Sequence, residues 1–206
     1  MKYKLSYLRW APFAEENAEP AGALPNYGSA MTLGEVSSAD DAPVFNSAKG
    51  YGDNALKRYV SEFKEVPINV EVLDFATAVF AAILGAKIQT MGTVSVIRHN
   101  KNDNAPYGGL GFVFGDMLDG NVVAYRGLFF PKVKAAMQGR TYTTKSENIT
   151  LSGEKMQFLG AACNSGDWAL QTDFLETEEE AMAWVDAMLT GNAQEADSST
   201  TEDETT

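Results

Sequence analysis

The stretch LGFVFGDMLDGNVVAYRGLFF, Leu110 to Phe130, decides the fold class. Leu110 to Phe114 reads as one strand and Asn121 to Phe130 as its return. Between them Leu118-Asp119-Gly120-Asn121 reads as a turn, because Asp and Gly tolerate the positive φ that a tight hairpin needs. Two apolar strands joined by so short a connection must pair antiparallel.

The same period recurs outward in both directions. Tyr3, Leu5 and Tyr7 alternate with Lys4 and Ser6, as in a half-buried strand. Met31 to Val36 reads as a short strand. Ile68, Val70 and Val72 alternate with Asn69 and Glu71, which predicts a sheet with one polar face. Pro67 has no N–H for a ladder, so a strand start or an edge is expected there. Further strands are read at Thr93 to Ile97, from Ile149 and Leu151 through Met156 to Leu159, and from Trp168 to Phe174. Two helices interrupt them. Ala76, Val79, Phe80, Ile83 and Leu84 recur at helical spacing, with Asp74 as the expected N-cap and Gly85 as the stop. Thr177 with Glu180 three residues on forms a capping box, Ala181, Trp184, Val185 and Met188 make an apolar face, and Gly191 ends the helix. Many short strands with two widely spaced helices predict a mainly β, α+β fold. An antiparallel sandwich or barrel with one or two packed helices is expected, not βαβ alternation.

At 206 residues the chain has room for one domain, here 1–190, followed by 191–206. Its net charge of −12 is concentrated at one end. Ten of the 28 acids, and no Lys or Arg, lie from Glu176 to Thr206, so the rest carries 18 acids against 16 basic residues. Gly191 to Thr206 contains no large apolar side chain to offset its ordering entropy and reads as a disordered acidic tail. Within the domain, two stretches read as long loops. Residues 11–28 contain Pro12, Pro20 and Pro25. Residues 37–52 are small and polar at first, with Asp40, Asp41 and Pro43 leading to Phe45. Long loops in a compact domain are often functional.

The composition excludes several chemistries. One Cys (Cys163) and one His (His99) rule out an intrachain disulfide, a Cys/His zinc cluster and any site with two imidazoles. The acidic balance shows no basic stripe of a nucleic-acid reader. Asn100, Asn102 and Asn104 alternate like the start of a calcium loop, but Ala105 and Gly111 stand where Gly and the closing Glu belong. Gly108, Gly109 and Gly111 precede strand residues and not a helix, so they serve close backbone approach or a bulge and not a phosphate cradle. No catalytic residue, cofactor or metal ligand is assigned. The apolar run from Phe75 to Leu84 is far shorter than the ~20 residues of a membrane span. No signal-peptide core follows Met1, so a soluble, cytoplasmically made protein without membrane association is expected.

Five segments, taken in order, carry a resemblance. They are Tyr51-Gly52-Asp53-Asn54-Ala55-Leu56, Val66-Pro67-Ile68-Asn69-Val70-Glu71-Val72-Leu73-Asp74, Asn104-Ala105-Pro106-Tyr107-Gly108-Gly109-Leu110-Gly111-Phe112, Tyr125-Arg126-Gly127-Leu128-Phe129-Phe130-Pro131-Lys132-Val133, and Tyr142 to Gly153. Their order and spacing over about residues 30–175 resemble the major tail protein, or tail tube protein, of long-tailed, non-contractile bacteriophages. The resemblance implies a sandwich or barrel-like fold whose copies form hexameric rings. Stacked rings make a hollow tube in the virion tail that conducts DNA without binding it specifically. It implies further contacts with the tape measure, tail tip and tail terminator proteins. On this reading Asp40, Asp41, Pro43 and Phe45 are candidates for ring stacking. Glu71 and Glu154, on polar strand faces, are candidates for the lumen, where negative charge repels phosphate. The competing expectations are another virion structural protein, such as a tail terminator or head decoration protein, or a soluble β-barrel that binds a small ligand.

Overall fold

The computed structural model describes residues 2–52, 55–118, 123–139 and 153–191. Its centre is the expected hairpin. Strand β8 (Tyr107–Met117) pairs antiparallel with β9 (Val123–Met137), from Tyr107 opposite Lys134 to Met117 opposite Val123. The Asp119-Gly120 turn itself lies outside the described residues. Beside β8 lies β1 (Lys2–Pro12), and beside β1 the two-residue β2 (Met31–Thr32). On the other side β9 pairs with β10 (Glu154–Gly160) and with the short β11 (Leu170–Gln171). Next to β10 runs β5 (Ala55–Val72), which also pairs with β3 (Val36–Asp41) and β4 (Val44–Gly52). The order β2-β1-β8-β9-β10-β5-β3 is antiparallel throughout, and β1 and β3 lie against each other, so the sheet curls on itself. The fold is mainly β with two helices, as the periodicity predicts.

The inside of the curl is the main core. Alternate residues supply it: Leu8 and Trp10, Leu110 and Phe112, Phe130, Phe158, and Val66, Ile68, Val70 and Val72. Trp10, Phe130 and Phe158 are essentially unexposed, and burial of each such side chain stabilises the fold by about 2 kcal/mol. Helix α1 (Thr77–Leu84) closes one end by adding Phe80 and Ile83. Gly85 ends it in the left-handed region, φ 66°, as expected. The expected N-cap does not hold. The N-cap is Ala76, without a side-chain hydrogen bond. Asp74 lies two residues earlier, in the irregular connector after β5, where Leu73 N–H bonds Glu35 O and a β-carbon on Gly34 would lie 2.4 Å from the Asp74 carbonyl oxygen.

Helix α2 (Glu178–Thr190) makes a second core on the outside of the sheet. Ala181, Val185, Met188 and Leu189 pack with Ala11, Val113 and Phe129, the outward residues of β1, β8 and β9. Both faces of β8 and β9 are therefore buried, which explains their nearly unbroken apolar runs. The glycines there permit close approach, as expected. A β-carbon on Gly111 would lie 2.7 Å from Val185 Cγ1, and one on Gly108 would lie 2.3 Å from Ala11 O. The ladder also shifts register between Gly108 and Leu110. Tyr27 closes the cluster. Burial holds its hydroxyl protonated, and it donates to Pro131 O at 2.7 Å.

The second long loop is corrected. Residues 37–52 are mostly strand, and β3 and β4 form one antiparallel partner to β5, broken only at Ala42-Pro43. Their small polar side chains read as loop, but backbone pairing to β5 sets their conformation, and strand propensity yields to such context. Pro67 is also inside a strand and not at its start. It sits opposite that break, between Glu65 opposite Val44 and Ile68 opposite Asp41, where Ala42 N–H still reaches Pro67 O. The stretch 13–28 stays outside regular structure apart from a bridge between Phe13 and Tyr27. The last expected strand shrinks to β11 and a bridge between Tyr125 and Leu175. Strands β6 (Lys87–Met91) and β7 (Val94–Arg98) form a separate hairpin, of which only β7 was expected. Ile149 and Leu151, and the segment from Asn192 on, lie outside the described residues.

Candidate functional site

The most prominent surface feature is an arm. β10 and β3 pair with β5 only between Val66 and Val72, whereas β4 pairs with it from Glu65 down to Ala55. The far half of β5 and all of β4 thus form a two-stranded ribbon beyond the sheet. Its base is aromatic. Phe63 stacks on Trp168 with ring centroids 5.0 Å apart and planes 10° from parallel, and Phe45 meets Phe63 edge-on at 5.8 Å. Past that base the described side chains are exposed on both faces. Phe45 and Ser47 alternate with Asn46 and Ala48, and Tyr59 with Arg58 and Val60. Tyr51 is 72% exposed, Tyr59 58% and Val60 51%. An isolated two-stranded ribbon is marginal in water, and this one carries exposed aromatic and apolar groups on both faces, of the kind that mark an interaction surface.

The four stacking candidates do not share one loop. Asp40 lies on β3 opposite Asn69, on the outward polar face. Asp41 has the opposite phase and lines an open depression of about 380 Å³ with Asp116, Arg126 and Trp168. Pro43 marks the break between β3 and β4, and Phe45 belongs to the arm. The two lumen candidates are also separated. Glu71 faces outward from β5, opposite Lys155. Its carboxylate accepts from Gly153 N–H at 3.1 Å and lies 3.9 Å from Lys155 Nζ. Glu154 is opposite Val72 and so has the phase of the core-facing residues, exposed only because β10 begins there. One sheet face cannot present both. The sequence shows the alternation of each strand but not their relative register, and a shift of one residue exchanges the faces.

Cys163 and His99 lie away from the arm. The Cys163 thiol is buried and donates to Asp167 O at 3.2 Å. His99 meets Phe80 edge-on and lines an open groove of about 610 Å³ with Lys87, Arg98 and Asn100. The stretch that faintly matches a calcium loop spends its groups on a turn: Asn100 N–H donates to Asp103 Oδ2 at 2.7 Å and Asn102 N–H to Asn100 Oδ1 at 3.0 Å. Among the described residues no three His, Cys, Asp or Glu side chains gather as a metal site. Nor is any helix among them long and apolar enough to cross a membrane. The arm was missed as a strand pair, although Tyr51, Tyr59 and Val60 on either side of Gly52-Asp53-Asn54 were a usable hairpin signal in the sequence.

No family model matches this chain, and no curated protein matches it.

Proposed function

We propose that this chain is the tail tube subunit of a long-tailed, non-contractile bacteriophage, assembling into hexameric rings that stack into a DNA-conducting tube in the virion. The observation that carries this reading is the arm, a two-stranded ribbon exposed on both faces and rich in aromatic side chains. A second copy of the chain is the partner such a ribbon fits, because stacked rings bring identical copies together head to tail in a contact that does not close on itself. The curled antiparallel sheet and its flanking helix fit the architecture that the sequence resemblance implies. The inside of the curl is filled by Trp10, Phe130 and Phe158, the packing of a core and not of a ligand cavity. On this reading Asp40 and Glu71, on one outward polar face, line the lumen and repel phosphate. The tube's ends meet the tape measure, tail tip and terminator proteins.

Negative-stain electron microscopy of the purified chain over a concentration series, alone and with tail-tip components, tests the reading. Hollow tubes or six-fold rings are expected. A chain that stays monomeric in both conditions would overturn it.

A further inference from the structure

We infer that the arm docks on the acidic surface at the start of α2 of a neighbouring copy, so that assembly of this chain is held by a defined charge pair between copies. The inference rests on the self-assembly reading above and names the partner surface for the arm. From Ser47 to Ser61 the sequence carries Lys49, Lys57 and Arg58 against Asp53 alone. The three cations are exposed and interleave with exposed Tyr51, Tyr59 and Val60. From Asp173 to Glu180 the chain carries Asp173, Glu176, Glu178, Glu179 and Glu180 and no Lys or Arg. All of these except Glu178, which Lys4 and Ser6 hold, are exposed. Phe174, 44% exposed, supplies an apolar anchor at the edge of this surface, and Arg126 underlies it at 3.6 Å. The two surfaces match in charge, and each carries an aromatic anchor of the kind that dominates interface energetics.

The arm extends beyond the part of β5 that β3 and β10 cover, whereas the acidic residues lie at the start of α2, on the outer face of β9, β8 and β1. An arm that projects past its own sheet reaches the α2 surface of a neighbouring copy in the head-to-tail manner that propagates.

Charge reversal tests the inference. One variant carries Lys57→Glu and Arg58→Glu, a second Glu176→Lys and Glu179→Lys, and a third all four. Assembly is followed by light scattering and electron microscopy, and folding by thermal denaturation. Each two-site variant is expected to stay folded and to need about tenfold more protein to assemble. The four-site variant is expected to assemble at close to the wild-type concentration. Wild-type assembly is expected to weaken as salt rises. If tubes form and the two-site variants assemble like wild type, the docking inference fails and the tube reading stands. If reversal and rescue occur in assemblies that are neither rings nor tubes, the docking stands and the tube reading fails. Failure of the four-site variant to recover, with its folding intact, also overturns the docking.

Discussion

The indole of Trp184 on α2 lies so close to Gly127 on β9 that a β-carbon built on Gly127 falls 2.5 Å from Trp184 Cε3. With Gly111 under Val185 in the same way, the helix rests on two places where the sheet has no side chains. That contact fixes α2 against the outer face of the sheet and so places its acidic first turn.

Gly127→Ala is therefore expected to lower stability by about 1–3 kcal/mol through overpacking. Urea denaturation measures it. Trp184→Leu in the same chain should recover part of the loss, because the two changes act on one contact and are not additive. Full additivity would mean that the close approach does not govern the packing.

Trp168→Ala is expected to loosen the arm more than the body. The stacked pair with Phe63 contributes about 1 kcal/mol beyond its burial, and the arm has no other aromatic anchor to the body among the described contacts. Trypsin should then cut faster after Lys57 and Arg58, while the far-ultraviolet spectrum stays unchanged. Unaltered cleavage rates would show that the arm is held otherwise.

Thr177→Ala removes half of the capping box, in which Thr177 Oγ1 accepts from Glu180 N–H and the Glu180 carboxylate accepts from Thr177 N–H. A loss of about 1 kcal/mol is expected, with Thr177→Ser nearly neutral. Equal losses for Ala and Ser would reject the hydroxyl as the cause.

Glu178 gives the fold a dependence on pH. Hydrogen bonds from Lys4, then from Ser6, hold its carboxyl below the usual carboxylate range. A group depressed in the folded state stabilises fully above its unfolded value, about pH 4.3. That contribution is lost as pH falls through the lower folded value, because the unfolded chain takes up the proton first. Stability should therefore fall with acid below about pH 4.3, and Glu178→Gln should flatten that part of the curve. Lys4 works at the other end. Its amine is raised, chiefly by the same hydrogen bond, so its contribution is lost only as pH rises through that higher value. An unchanged acid limb in Glu178→Gln would remove Glu178 from this role.

Tyr7 has a left-handed backbone, φ 57°, at a register shift of β1, and its hydroxyl donates to Asp186 Oδ2 at 2.5 Å. Arg9 Nη2 stands 3.4 Å from the other carboxylate oxygen. Tyr7→Phe should cost about 1–2 kcal/mol, and the double variant with Asp186→Asn should cost less than the sum of the single changes. A neutral Tyr7→Phe would show that solvent replaces this bond.

Much of the fold was legible because its signals are local. Val66 to Val72 shows its buried face through period-two alternation, and Thr177 with Glu180 shows its cap through residues three apart. Gly85 and Gly191 end their helices in the left-handed region that glycine adopts without strain. The segment from Val36 to Gly52 was illegible because Ser37, Ser38, Asp40 and Asp41 favour turns on their own. They become strand only through pairing with β5. Asp74 likewise looks like a cap, but it lies two residues before the N-cap, in the connector where Leu73 N–H bonds the distant Glu35 O.

By itself, the sequence determined the strand-rich class, the central hairpin, both helices with their glycine stops, and the alternating residues of the core. Hydrophobic period and capping chemistry act within a few residues, so they can be read along the chain. Only the tertiary structure decided that residues 37–52 pair with β5 to make an arm, that α2 sits on Gly111 and Gly127, and that Glu71 and Glu154 point to opposite sides. Each of these depends on which backbone groups of distant strands pair, and in what register. A one-residue change in register turns every side chain of a strand to the other face.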